Sequence, residues 1–179
     1  MFDFEKPQSK EEVGVALGVL EVEITSYFDS FGDGDFQAAQ GEHWSPAGHL
    51  RHLAKSVRAV AGGLGQPKIA LWFFGRGRGS RSFDEMVAAY RAELAAGGKA
   101  GRYGPSAAEP ERSVVMARWS DANSQLQRAL ASWSERALDR YRLPHPLLGK
   151  LTVREMLFFT LYHNAHHARR VLERAESAQ

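Results

Sequence analysis

Leu151-Thr152-Val153-Arg154-Glu155-Met156-Leu157, running on through Leu161-Tyr162-His163-Asn164-Ala165-His166-His167, reads as the start and body of one long helix. Thr152 and Glu155 have the spacing of a capping box, in which each side chain satisfies a free backbone amide of the other residue. Leu157, Leu161, Ala168 and Leu172 recur at helical spacing. Arg169, Arg170 and Arg174 fall in the last turns, where positive charge suits the helix dipole. His163 and His167 are four residues apart on this helix. At about 3.6 residues per turn they stack within roughly 40° on one face, so both imidazoles can serve one metal ion.

An amphipathic helix of this length needs partners for its apolar stripe, and the chain offers three. Ser9 and Glu12 form a capping box ahead of Val13, Leu17, Leu20, Ile24, Tyr27 and Phe28, with Gly32-Asp33-Gly34-Asp35 expected to end that helix. Ser45-Pro46 opens a second, with the stripe Leu50, Leu53, Val57, Val60 and Leu64, and Gly62-Gly63 with Gly65 is expected to break it. Glu109-Pro110 is expected to open a third, carrying Val114, Trp119, Ala122, Leu126, Leu130 and Trp133. Leu143-Pro144-His145-Pro146 closes that region, because proline disfavours helix at itself and just before. Between the second and third helices, Ser82 and Glu85 form another capping box that opens a shorter helix to about Ala96, ahead of the glycine-rich stretch from Gly97 to Gly101. The expected fold is all-α: a four-helix bundle with a long crossover carrying an extra short helix between the second and third long helices.

The 179 residues suffice for one domain with a full core, and residues 1–179 are read as a single domain. A net charge of +2 does not demand nucleic acid as a partner. Cysteine is absent, which excludes disulfides, thiolate metal ligands and a cysteine nucleophile; a thiol can take part only as a substrate. Met1-Phe2-Asp3-Phe4-Glu5-Lys6-Pro7 has neither the basic start nor the apolar run of a signal peptide. No stretch reaches the ~18 apolar residues of a membrane span. A cytoplasmic protein with no membrane partner is expected.

Seven histidines remain to be placed. His166 is three residues after His163 and shares much of its face, but the apolar stripe flanks His163 and His167 more closely. On the second helix, His49 and His52 directly precede the core residues Leu50 and Leu53, and spacing alone does not choose between them. His43 in the loop and His145 between two prolines are read as structural or solvent-facing. The Glu-x-x-His pairs of di-iron bundles and the His-Glu-x-x-His of zinc proteases are both absent.

Trp44-Ser45-Pro46-Ala47-x-x-Leu50-x-His52-Leu53 resembles the second-helix motif of the DinB/YfiT-like superfamily of metalloenzymes. Gly149-Lys150-Leu151-Thr152-Val153-Arg154-Glu155-Met156-Leu157, followed by His163-x-x-x-His167, is similar to that family's last-helix motif. The resemblance implies a divalent metal, zinc or nickel, on His52, His163 and His167, and a homodimer. It implies first a low-molecular-weight-thiol S-transferase whose metal activates the thiol. A metal-dependent hydrolase with activated water, or a non-catalytic metal-binding helical dimer, are its alternatives. The family name implies no DNA binding. Gly48 departs from the family pattern, which often has a larger, acidic residue there.

Arg76, Arg78 and Arg81 in the crossover are candidates for a carboxylate of the thiol, against the plainer reading of Gly75-Arg76-Gly77-Arg78-Gly79 as a solvated flexible loop. Trp72, Phe73 and Phe74 are read as core. Tyr162, Asn164 and Glu23 are candidates to orient the ligand rings, with no role assigned.

Overall fold

The computed structural model describes residues 1–39, 43–77, 79–99, 101–105 and 110–177. Four long helices, α1 (Lys10–Asp29), α3 (Pro46–Leu64), α6 (Arg112–Ala131) and α8 (Val153–Ser177), form the bundle. The crossover carries a short α4 (Lys68–Leu71) and the expected extra helix, α5 (Phe83–Ala95), which packs on α8. All three expected capping boxes form, at Ser9/Glu12, Ser82/Glu85 and Thr152/Glu155. Ser45 accepts the amide of Gly48 at 3.0 Å and opens α3 with Pro46 in its first turn.

One hydrophobic core joins these helices. Leu20, Ile24 and Phe28 of α1 and Leu50, Leu53 and Val57 of α3 are buried in it with Trp119 and Leu126 of α6 and Leu157 and Leu161 of α8. Each such side chain contributes roughly 1.5–3 kcal/mol by leaving water. The two buried indoles also satisfy their N–H groups: Trp119 donates to Thr25 Oγ1 at 3.0 Å, and Trp133 to the Leu64 carbonyl at 3.1 Å.

Several boundaries differ from the expectation. The Gly32–Asp35 stretch does not simply end α1; Ser30 caps that helix, and α2 (Asp33–Gln37) adds a turn that buries Phe36. Gly62 and Gly63 do not break α3, which continues to Leu64 and is capped at Gly65. Gly63 is needed for closeness instead: a Cβ there would lie 3.1 Å from Leu143. Helix α6 opens at Arg112 with Glu111 at its cap, whereas Glu109 lies outside the described residues. A short helix, α7 (Glu135–Arg140), follows α6.

The proline-rich stretch is a strand rather than a plain break. Strand β1 (Arg142–His145) pairs antiparallel with β2 (Gly149–Thr152), with Pro144 opposite Lys150. A two-stranded ribbon has only edges, so a proline lacking its N–H is tolerated. His145 secures the turn by accepting the amides of Leu147 and Leu148 on Nδ1, at 3.2 and 3.1 Å. Strand β2 runs directly into α8, and the Val153 amide donates to the Tyr141 carbonyl at 3.0 Å. The hairpin therefore fixes where α8 begins, and with it the direction of every side chain on that helix.

Candidate metal centre

The three-residue steps on α3 and the four-residue step on α8 aim imidazoles across the seam between these two packed helices. His52, His163 and His167 meet there. Their ring centroids are 4.8, 4.6 and 4.6 Å apart, and each ring offers a nitrogen within 4.8 Å of the others. His52 Nε2 and His163 Nε2 are 2.9 Å apart. A tetrahedral ion with metal–nitrogen bonds of about 2.0–2.1 Å sets its ligand nitrogens roughly 3.4 Å apart. The cluster brackets that value, so small ring rotations bring three nitrogens onto one ion.

The protonation of the rings fits this use. Tyr103, in the 3-10 turn Gly101–Tyr103 of the crossover, presents its carbonyl to His52 Nδ1 at 2.8 Å. A carbonyl only accepts, so Nδ1 carries the proton and neutral His52 presents a lone pair on Nε2. Burial, then the neighbouring imidazoles, hold His163 and His167 well below the ordinary value near 6.5. Burial likewise lowers His52, against the Tyr103 hydrogen bond. At neutral pH these rings are uncharged, the state a metal ligand needs. His163 Nδ1 is buried with no partner among the described residues. Its Nε2 is the nitrogen turned toward His52, so Nε2 is the atom His163 offers to an ion.

Two further side chains complete the surroundings. His49 stands outside the triad, with Nδ1 2.9 Å from His167 Nδ1, so one proton shared between the two nitrogens holds the His167 ring in place. Burial, then the Arg174 charge, pushes His49 down to about 3. Trp44 lies parallel to the His167 ring, with centroids 6.0 Å apart and planes at 5°. Gly48 makes this possible, since a Cβ there would lie 3.2 Å from Trp44 Cβ and 3.3 Å from Ser45 Oγ. The departure from the family pattern thus seats an indole against the imidazoles. His166 turns aside and stacks on Tyr162 with planes at 18°.

The cluster opens into a cavity of about 790 Å³ that extends past Phe159 and Met156 to the β1–β2 hairpin. Its described lining includes His52, His163 and His167 and contains no carboxylate.

Other candidates lie elsewhere. Arg81 pairs with Glu155 at 2.8 Å, Arg76 covers the Trp72 ring, neither lines the cavity, and Arg78 lies outside the described residues. The glycine-arginine stretch is not a free loop, because the Gly77 amide donates to the Arg140 carbonyl at 2.8 Å and Arg76 bridges to Tyr141. Trp72 and Phe73 are not core: they are 50% and 88% exposed, and only Phe74 lines the cavity. Glu23 accepts the Phe2 amide and Tyr162 accepts from Arg91, so neither orients a ligand ring. Asn164 is buried, with Oδ1 lacking a partner among the described residues. Sequence spacing had no means of finding Tyr103, because a backbone carbonyl carries no residue-type signal.

Four long helices with three histidines gathered between α3 and α8 define a bundle with a site able to hold a divalent ion. The DinB superfamily model matches residues 20–171, and the chain belongs to that superfamily. In fold, the chain is similar to TT2238, a four-helix bundle protein of known crystal structure, with a TM-score of 0.61 and 16% identity over 92% of this chain and 99% of that one. None of the curated proteins compared matches the sequence. Among the described residues, no helix is long and apolar enough to cross a membrane.

Proposed function

We propose that this chain is a divalent-metal-dependent enzyme that binds zinc or nickel on His52, His163 and His167 and transfers a low-molecular-weight thiol to an electrophile. The observation that carries the reading is the triangle of neutral imidazoles on the wall of a cavity large enough for a small molecule. A divalent ion held there supplies positive charge that lowers the pKa of a thiol or water at its open position. Tyr103 keeps the His52 lone pair directed inward, His49 steadies the His167 ring, and Trp44 covers that ring.

The cavity chemistry favours thiol over water. Hydrolytic sites of the zinc-protease type place a glutamate beside the ion as general base. No carboxylate is found among the described residues that line this cavity. A thiol, ordinarily near pKa ~8.5, would be acidified enough by such an ion to lose its proton to solvent, with no protein base required. The hydrolase reading requires the ion alone to activate water and remains second. The cytoplasm, where small thiols stay reduced, is the compartment this proposal assigns.

A homodimer is part of the same proposal. Val15, Val19 and Val22 form an exposed stripe on α1, at 63%, 47% and 69% exposure, that self-association would cover. Equilibrium sedimentation measures it.

Metal content of untagged protein and transfer of bacillithiol, mycothiol or glutathione to 1-chloro-2,4-dinitrobenzene test the function. The expected result is one zinc or nickel per chain and thiol consumption that chelation stops. Protein that takes up neither metal on addition ends the reading.

A further inference from the structure

His145 stands apart from the imidazole triangle, and its surroundings fix its chemistry. Both the Leu147 and Leu148 amides donate to Nδ1, so that nitrogen holds a lone pair and the neutral ring carries its proton on Nε2. Burial pushes the ring down to about 4, so it is neutral at physiological pH. The Nε2–H has no protein partner among the described residues, yet it is not among the sealed unpaired atoms. His145 lines the cavity, so this donor is presented there.

Two neighbours define what it would meet. The Phe159 ring touches both His145 and His163, with centroids 4.3 Å from the first and 4.9 Å from the second. Gly98 packs its backbone against Leu147, where an added Cβ would lie 3.2 Å from Leu147 Cδ1. The next residue, Lys99, is exposed, lines the same cavity and makes no ion pair among the described residues. The hairpin end thus carries a fixed neutral donor and a cation with no ion pair among the described residues, with an apolar wall leading from there to the imidazoles.

We propose that the hairpin end of the cavity is a carboxylate subsite, formed by His145 Nε2–H and Lys99, for a substrate whose apolar body of about one aromatic ring lies along Phe159 toward His163. The ligand's role as substrate rests on the metal-enzyme reading; the binding itself does not. The subsite orients such a molecule with its carboxylate at the hairpin and its other end at the imidazoles. A neutral or cationic molecule of the same shape leaves His145 and Lys99 without an acceptor.

Calorimetric titration of metal-free protein with 2-naphthylacetate, 2-(2-naphthyl)ethanol and 2-naphthylmethylammonium tests this. Without an ion, the carboxylate gains nothing from the triangle. Naphthylacetate is expected to bind about tenfold more tightly than the alcohol, in keeping with hydrogen bonds to a charged group. His145→Asn keeps an oxygen at the Nδ1 position, able to accept the turn amides, and holds its remaining N–H donor on Cγ, short of where Nε2 reaches. It should remove most of that preference and leave the alcohol within about twofold of the parent. Lys99→Gln should weaken naphthylacetate about threefold. Long-range proton–nitrogen NMR correlation gives an independent readout: the His145 Nδ1 resonance should be that of a lone-pair nitrogen, and naphthylacetate should shift Nε2–H. Equal affinity for the acid and the alcohol, an unchanged preference in His145→Asn, or a proton on Nδ1 overturns the subsite. Zinc titration of the same sample separates the two readings, since failure to bind zinc removes the enzyme and leaves the carboxylate result standing.

Discussion

The two halves of α8 treat buried polar groups in opposite ways. At its start, Arg154 is 8% exposed and fully engaged: it meets Asp139 at 2.7 and 3.0 Å, Glu135 Oε1 at 2.6 Å and the Gln8 carbonyl at 2.7 Å. Glu155 beside it accepts from Arg81 and from the Thr152 amide, and these contacts hold its carboxyl low against the rise that burial causes. Two turns on, His163 and Asn164 are as deeply buried, yet His163 Nδ1 and Asn164 Oδ1 have no partner among the described residues. A polar cluster whose every group is paired is architecture. At the second end the paired nitrogens are instead those of three imidazoles turned toward one another, an arrangement that pairs poorly within the chain and well around a cation.

Breaking each cluster should therefore fail in a different way, and the largest effects come from this pairing. Arg154→Ala removes the hydrogen bonds to Asp139, Glu135 and the Gln8 carbonyl and should cost roughly 1.5–3 kcal/mol in urea denaturation, while the folded protein still binds zinc. His163→Ala should lower zinc affinity more than ~100-fold by calorimetry, beyond the loss expected for an outer hydrogen-bond partner, and should cost far less metal-free stability than Arg154→Ala. If both variants lose stability alike and keep zinc, the distinction between the two ends is wrong.

Acid sharpens the contrast more gently. His145 and His49 have folded values near 4 and 3, below their ordinary 6.5, so the unfolded chain binds more protons between those limits. Stability of the metal-free protein is then full above about pH 6.5 and should fall by about 1.4 kcal/mol per pH unit for each such ring as pH drops toward 4. Denaturant midpoints measured across this range, in the parent and in His145→Asn, should differ in slope by one histidine. The smallest expected effect is that of Ser45→Ala, which removes the cap at Gly48 and should cost ~1 kcal/mol, with little change in zinc affinity.

Much of the helical architecture could be read from residue order. Capping boxes and apolar stripes depend on neighbours three or four residues away, and Ser9/Glu12, Ser82/Glu85 and Thr152/Glu155 all form as their spacing implies. The i, i+4 relation of His163 and His167 is local in the same sense. Where the reading failed, the deciding contact came from far along the chain. Gly62-Gly63 looked like a helix break, but Leu143 packs onto Gly63 within a continuous helix. Pro144 looked like a plain interruption, but pairing with β2 makes it a strand residue.

By itself, then, the sequence determined four long helices, their order, their caps and two histidines on one face, because short-range hydrogen bonds and helical periodicity are properties of local residue order. Only the tertiary structure decided that His52 joins those two while His49 stands behind His167, that Tyr103 sets the tautomer of His52, and that His145 opens onto the same cavity. Those relations arise from packing between segments 50 to more than 100 residues apart, and no local pattern encodes the distance between two side chains that meet only when the bundle closes.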